Sequence, residues 1–345
     1  MAKNSFSDIE KPGTSFPDAA RNSLRPQANR SRHGDLEQRS KGESLLPSLN
    51  SRQRFLLTLL DCLGGHAGNL DFQKLLFLRC QDDGTQAPYE FVPYMYGAFS
   101  FTSYADRRKL VERSLLHEDD QHWILTAEGR RAVTETGTAS SPIESFARAY
   151  KNLRGDELVA ETYRRFPYYA TKSTIAARVL RGDNAALGRI EAAKYGVASP
   201  GISTIGYEGY TVERYLNQLL ANGVTTLCDV RRNAISRKYG FSKGTLAKGC
   251  EGVGLRYEHL PQLGIESEKR RGLDSQAAYD ALFAEYERCN LPRQSEALGS
   301  IRAWVDGGSR VALTCFEHLP EQCHRHCVAD ALESQFGAAF APEHI

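Results

Sequence analysis

Two stretches of the chain hold the residue types that chemistry needs. The first is VALTCFEHLPEQCHRHC, residues 311–327. Cys315 closes an apolar run there, as a nucleophile placed on a scaffold would, and nearby Arg325 and a helix start would lower its pKa. Glu317 would orient His324 or act as a base, with His324 as acid or orienting group. Cys323, His324 and Cys327, with Cys315 and His318 near, invite a zinc reading. Zinc wants four such ligands, however, no CxxC pair exists, and the helical period puts Cys327 beside core-facing Val328. No metal ligand is therefore assigned; a divalent metal is left open, and no cofactor is predicted. The bland alternative for Cys315 is a small buried residue at a strand end. The second stretch runs from Asp229 to Lys248. It has one acid at its start and the bases Arg231, Arg232, Arg237, Lys238, Lys243 and Lys248. Guanidinium forks grip phosphate in two places, so this loop predicts an anion site. The alternative is that Asp229 pairs with Arg231 inside the fold and the other bases are solvated.

The elements around these residues read as strands alternating with helices. Strands are expected at 203–207, 224–228, 255–259 and 310–315. Helices are expected between them at 212–220, at 243–253 behind Ser242, and as two segments spanning Tyr279–Tyr286 and Leu298–Trp304. A last helix is expected to begin at Pro320 and Glu321. This alternation predicts a mostly parallel, three-layer Rossmann-like sheet covered on both faces. In such sheets ligands bind beyond the carboxyl ends of the strands. The polar residues fall at those ends: Tyr207 and Glu208, then Asp229, Arg231 and Arg232, then His259, then Cys315 and Glu317. The expected site thus has Asp229, Glu317, His324 and Cys315 as catalytic residues. Tyr207, Glu208, Arg231, Arg232, Arg237, Lys243, His259 and Arg325 would hold an anion.

Four segments in this half, TIGYEGYTVERYLNQLL, CDVRRNAISRKYGFSKGTL, YEHLPQLGIESEKRR and VALTCFEHLPEQCHRHCVADAL, resemble the motif blocks of the domain of unknown function 488 family, in order and with the family's spacing. The resemblance brings little chemistry, because the family is named for its unknown activity. One departure is that Asn233-Ala234 stands where the family often has Asn-Pro.

The front half is different. Residues 1–46 are rich in Ser, Asn, Pro, Gly and Arg without an apolar period, and read as a disordered arm. Residues 47–138 show helices near 51–63, from Asp71 and over 103–116, then the strand-like His122-Trp123-Ile124-Leu125 and a helix entered through WILTAEG. This pattern resembles a winged helix. LDFQKLLFL followed by YMYGAFS is also similar to the front of the Panacea (SocA-like) antitoxin-associated family. Arg107, Arg108 and Lys109 would lie where groove-reading residues sit, or on a solvated helix face. Residues 139–200 read as a helical connector broken at Phe166-Pro167, and 201–345 as the α/β domain.

Composition bounds the rest. The 345 residues are 41% hydrophobic and 25% charged, which is globular composition. No apolar run reaches the roughly 18–20 residues of a membrane span. Eight cysteines behind an N-terminus with no apolar leader read as reduced thiols of a cytoplasmic, bacterial-type protein. Lys plus Arg number 44 against 42 for Asp plus Glu, so only a local basic patch would argue for nucleic acid. The expectation is a protein that acts on or senses nucleic acid or a nucleotide-like anion. Its sharpest form is hydrolysis of modified or foreign DNA, as in phage defence. The rivals are a non-catalytic ligand-binding regulator and a cysteine-dependent enzyme using Cys315. A homo-oligomer is left open.

Overall fold

The computed structural model describes residues 49–136, 141–196, 198–270 and 272–345; the arm expected at 1–46 lies outside the described residues. The front begins with α1 (Ser51–Cys62), where Asn50 accepts from the Gln53 backbone and Gln53 reaches back to the Asn50 backbone. Gly64 and Gly65 end it with positive φ, a conformation that side-chain-bearing residues rarely adopt. Then come β1 (His66–Gly68), α2 (Asn69–Asp83), the hairpin β2 (Val92–Tyr94) and β3 (Gly97–Phe99), and α3 (Phe101–Glu112). β4 (His122–Ile124) pairs antiparallel with β1, and α4 (Ala127–Thr136) follows. Helices α5 (Ser141–Ala149), α6 (Gly155–Arg165), α7 (Ala176–Val179) and α8 (Asn184–Ala192) lead to the sheet. The expected break falls where it should, since α6 stops at Arg165 before Pro167. Tyr168 and Tyr169 pack rather than project: Tyr168 donates to Asn217 and Tyr169 meets Phe77 edge-on.

The rear is a five-stranded, all-parallel sheet between two helical layers. Its elements are β5 (Gly201–Gly206), α9 (Val212–Ala221), β6 (Thr226–Asp229), α10 (Lys243–Gly252), β7 (Arg256–His259), α11 (Gln276–Cys289), α12 (Ser295–Asp306), β8 (Arg310–Cys315), α13 (Arg325–Phe336) and β9 (Pro342–His344). The strand order is β7-β6-β8-β5-β9. Tyr215, Leu216, Phe241, Leu246 and Ala312 fill one face, and Val311, Leu313, Cys315, Leu298, Ile301 and Val328 the other. The register aligns Gly206 with Cys315, and Asp229 with both Thr314 and His259. The carboxyl ends thus form one rim.

One expected element moves. Pro320 begins only a single 3-10 turn, Pro320–Gln322, and the helix starts at Arg325. Cys323 and His324 therefore precede the helix. The described residues form one compact unit. Among the described residues, no helix is long and apolar enough to cross a membrane.

Candidate functional site

At the rim, Asp229 and Arg231 close on each other. The Asp229 carboxylate is fully buried and accepts from the Arg231 backbone N–H (3.1 Å), Arg231 Nε (2.8 Å) and Tyr257 Oη (2.7 Å), with Arg231 Nη2 on its second oxygen. Arg231 Nη1 donates to Tyr207 Oη at 2.9 Å, and its guanidinium lies 5.0 Å from the Tyr207 ring centroid. His259 Nε2 meets the Arg231 carbonyl at 2.9 Å. Four predicted residues therefore converge, but into a sealed network. This corrects the expectation that Asp229 is a base and Arg231 an anion ligand: the internal pair is what forms, because a buried carboxylate needs a cation beside it.

Arg325 is corrected too. Its side chain is buried and pins the loop after β8, donating to the carbonyls of Glu317 (2.5 Å) and His318 (2.8 Å) and to Thr204 Oγ1 (3.4 Å). Arg231 and Arg325 do not frame a positively charged hollow. Arg232, Arg237 and Lys243 are exposed. Glu208 is exposed as well and accepts from the His318 backbone at 3.0 Å. With Asp229 sealed, Glu208 has no open acidic partner there.

On the other face of the sheet, beyond the end of β8, a second cluster assembles. Cys315, Cys323 and His324 are all buried, and their Sγ, Sγ and a ring nitrogen lie within 4.8 Å of one another. Cys315 Sγ is 3.8 Å from His324 Nδ1 and 3.5 Å from Glu317 Oε2. His324 Nε2 meets the Val230 carbonyl at 3.0 Å, so that nitrogen carries a proton, and Nδ1 faces the sulfur with a lone pair when the ring is neutral and with an N–H when it is charged. Glu317 therefore attends Cys315 and does not orient His324. The Glu317 Oε1 is bound by Arg270. Burial, then the Cys315 charge, raises the Glu317 carboxyl above its ordinary range. A hydrogen bond from Cys323, then the His324 charge working against burial, hold the Cys315 thiol well below its usual value. The stretch 311–327 pointed to Cys315, Glu317 and His324. Arg270 and the Val230 carbonyl were beyond reach, since each comes from a loop far away in the chain.

A third feature lies on the side of α9. A cleft of about 440 Å³ opens between α3 and the turn that leads from β5 into α9. Arg52, Arg108, Lys109 and Lys238 line it with Tyr210 and Tyr239. Arg108 stacks over the Tyr239 ring at 5.6 Å. Arg52 is paired with Asp106 at 3.1 Å, so that acid is already neutralised; Glu112 is the other carboxylate of the lining. The basic trio of α3 divides. Arg108 and Lys109 face the cleft, whereas Arg107 sits over Trp123 and donates to the His122 carbonyl.

Residues 211–332 match the family model described as Domain of unknown function DUF488. The rear of this chain is a DUF488 domain. The DUF488 match takes in Arg231, Arg270, Cys315, Glu317, Cys323 and His324, and it starts after Tyr207 and Glu208. No curated protein matches the chain.

Proposed function

We propose that this protein binds a phosphate-bearing ligand of nucleotide size in the cleft between α3 and the DUF488 domain. The observation that carries the reading is the lining of that cleft. Arg108, Lys109 and Lys238 line it, Lys238 also donating to the Tyr207 carbonyl at 3.1 Å, while Asp106 is spoken for by Arg52, which leaves a net positive hollow. A volume near 440 Å³ suits a ligand of that size. Two tyrosines supply faces on which a base can stack, and arginine above one of them adds a cation to the platform. The cleft borders the turn after β5, which agrees with ligand binding beyond strand carboxyl ends. The anion site thus moves from Arg231 and Arg325 to cations on both sides of the joint between front and rear.

The test is thermal unfolding of the full chain at low salt with nucleoside mono-, di- and triphosphates, inorganic phosphate and short oligonucleotides. A true ligand at a hundredfold excess over its Kd stabilises by about 2.7 kcal/mol. That gain should shrink as salt screens the cations. Arg108→Ala or Lys109→Ala should weaken binding about tenfold each while leaving the unliganded melting temperature unchanged. Absence of stabilisation by every member of the panel at low salt overturns the reading.

A further inference from the structure

We propose that Cys315, Cys323 and His324 are ligands of a zinc ion, and that the Glu317 carboxylate beside Cys315 turns in to the fourth position. Zinc–sulfur and zinc–nitrogen bonds of about 2.3 and 2.0 Å on a tetrahedron put neighbouring donors roughly 3.5–3.8 Å apart. Cys315 Sγ and His324 Nδ1 stand 3.8 Å apart, Glu317 Oε2 is 3.5 Å from the same sulfur, and Cys323 Sγ completes the group within 4.8 Å. The Cys315–His324 distance is that of a coordination shell, Cys323 lies close enough to join it, and Glu317 borders the group at Cys315.

The surroundings have the form that holds such a shell in place. A metal-bound histidine commonly gives its other ring N–H to a backbone carbonyl, which fixes the tautomer and aims the free lone pair. His324 does this toward the Val230 carbonyl. A ligating carboxylate is commonly steadied through its remaining oxygen, and Arg270 holds Glu317 there. Charge balances as well. Two thiolates and one carboxylate exceed a divalent cation by one negative charge, and the Arg270 guanidinium offsets it. Binding would release to solvent whatever protons the two cysteines still carry.

A neighbouring trio serves as the control. Glu287, His326 and Cys327 also lie within reach of one another, but Glu287 is exposed. His326 Nδ1 is taken by the carbonyls of Pro320 and Cys323. The proposed centre is on the face of the sheet opposite the cleft, so it stands or falls separately from the ligand reading.

The experiment is metal analysis of the full chain, incubated with zinc under reducing conditions and desalted without chelator. About one zinc per chain is expected. Cys315→Ser, Cys323→Ser and His324→Gln should each retain less than about a tenth of that, Cys327→Ser should retain all of it, and Glu317→Gln should bind about ten- to a hundredfold more weakly. Should the ligand variants fail to fold, cobalt substitution of the wild type decides, because sulfur-to-cobalt charge-transfer bands appear only with thiolate ligands. A wild type that holds no zinc and gives no such bands overturns the proposal. So does zinc that survives Cys315→Ser and leaves with Cys327→Ser. A metal-free wild type in which iodoacetamide labels Cys315 at a pH well below the ordinary thiol range also overturns it, and makes Cys315 a nucleophile paired with His324.

Discussion

Lys74 is fully buried in α2, where its ammonium donates to the Ala98 carbonyl at 2.9 Å. Burial lowers its pKa from 10.5 to about 7. The unfolded chain then binds the extra proton between those two values, so stability rises as pH climbs from 7 toward 10.5. From pH 7 to 9.5 the gain should be about 3 kcal/mol, read by urea unfolding, and Lys74→Met should flatten that slope and stabilise the protein at pH 6.5. Wild-type stability that stays level over this range would refute the assignment. Asp229→Asn removes the partner of a buried guanidinium and should cost about 3–5 kcal/mol in the same assay, with Tyr207 and Tyr257 losing their shared anchor. At this scale the sequence was half legible. The i, i+2 spacing of Asp229 and Arg231 was read first as an anion site with internal pairing as the alternative, and only burial decided for the pair. Lys74 carried no signal, because LDFQKLLFL looks amphipathic while every residue of α2 from Phe72 to Cys80 is buried.

Among the elements, long patterned ones were readable and three-residue ones mostly were not, β4 being the exception that His122-Trp123-Ile124-Leu125 announced. β8 spans Arg310–Cys315 as its apolar run predicts. β1, β2, β3 and β9 have three residues each, too few for an alternating pattern to show. Pro320 was misread because proline suits the first position of any helical turn, including one that stops at Gln322. The close of β5 carries a sharp steric demand. A Cβ on Gly206 would lie 1.7 Å from the Glu317 carbonyl oxygen, so Gly206→Ala must push the loop after β8 outward. The expected outcome is a loss of more than about 2 kcal/mol in stability, together with weaker zinc retention than any change on the α9 side produces. An alanine variant as stable as wild type would show that this loop gives way freely.

For the molecule as a whole, the joint between front and rear matters most. Glu213 of α9 is buried and accepts from Ser100 Oγ (3.1 Å), Thr102 N (2.7 Å) and Thr102 Oγ1 (2.9 Å) at the start of α3. Asn217 Nδ2 donates to the Phe91 carbonyl at 2.7 Å, and Arg214 pairs with Glu90. Glu213→Ala strands these donors and should cost about 3 kcal/mol, splitting one calorimetric transition into two if front and rear then melt apart. A single unshifted transition would count against that role. Motifs named the rear from sequence, yet the docking of front and rear was invisible, since it joins residues more than a hundred positions apart. The outermost strand has its own consequence. β9 hydrogen-bonds along β5, whose six residues are all buried. A chain cut back to Gly337 would bare that strand with its backbone groups unpaired, a template for other chains to add to, and it should form β-rich aggregates at concentrations where the intact protein stays dispersed.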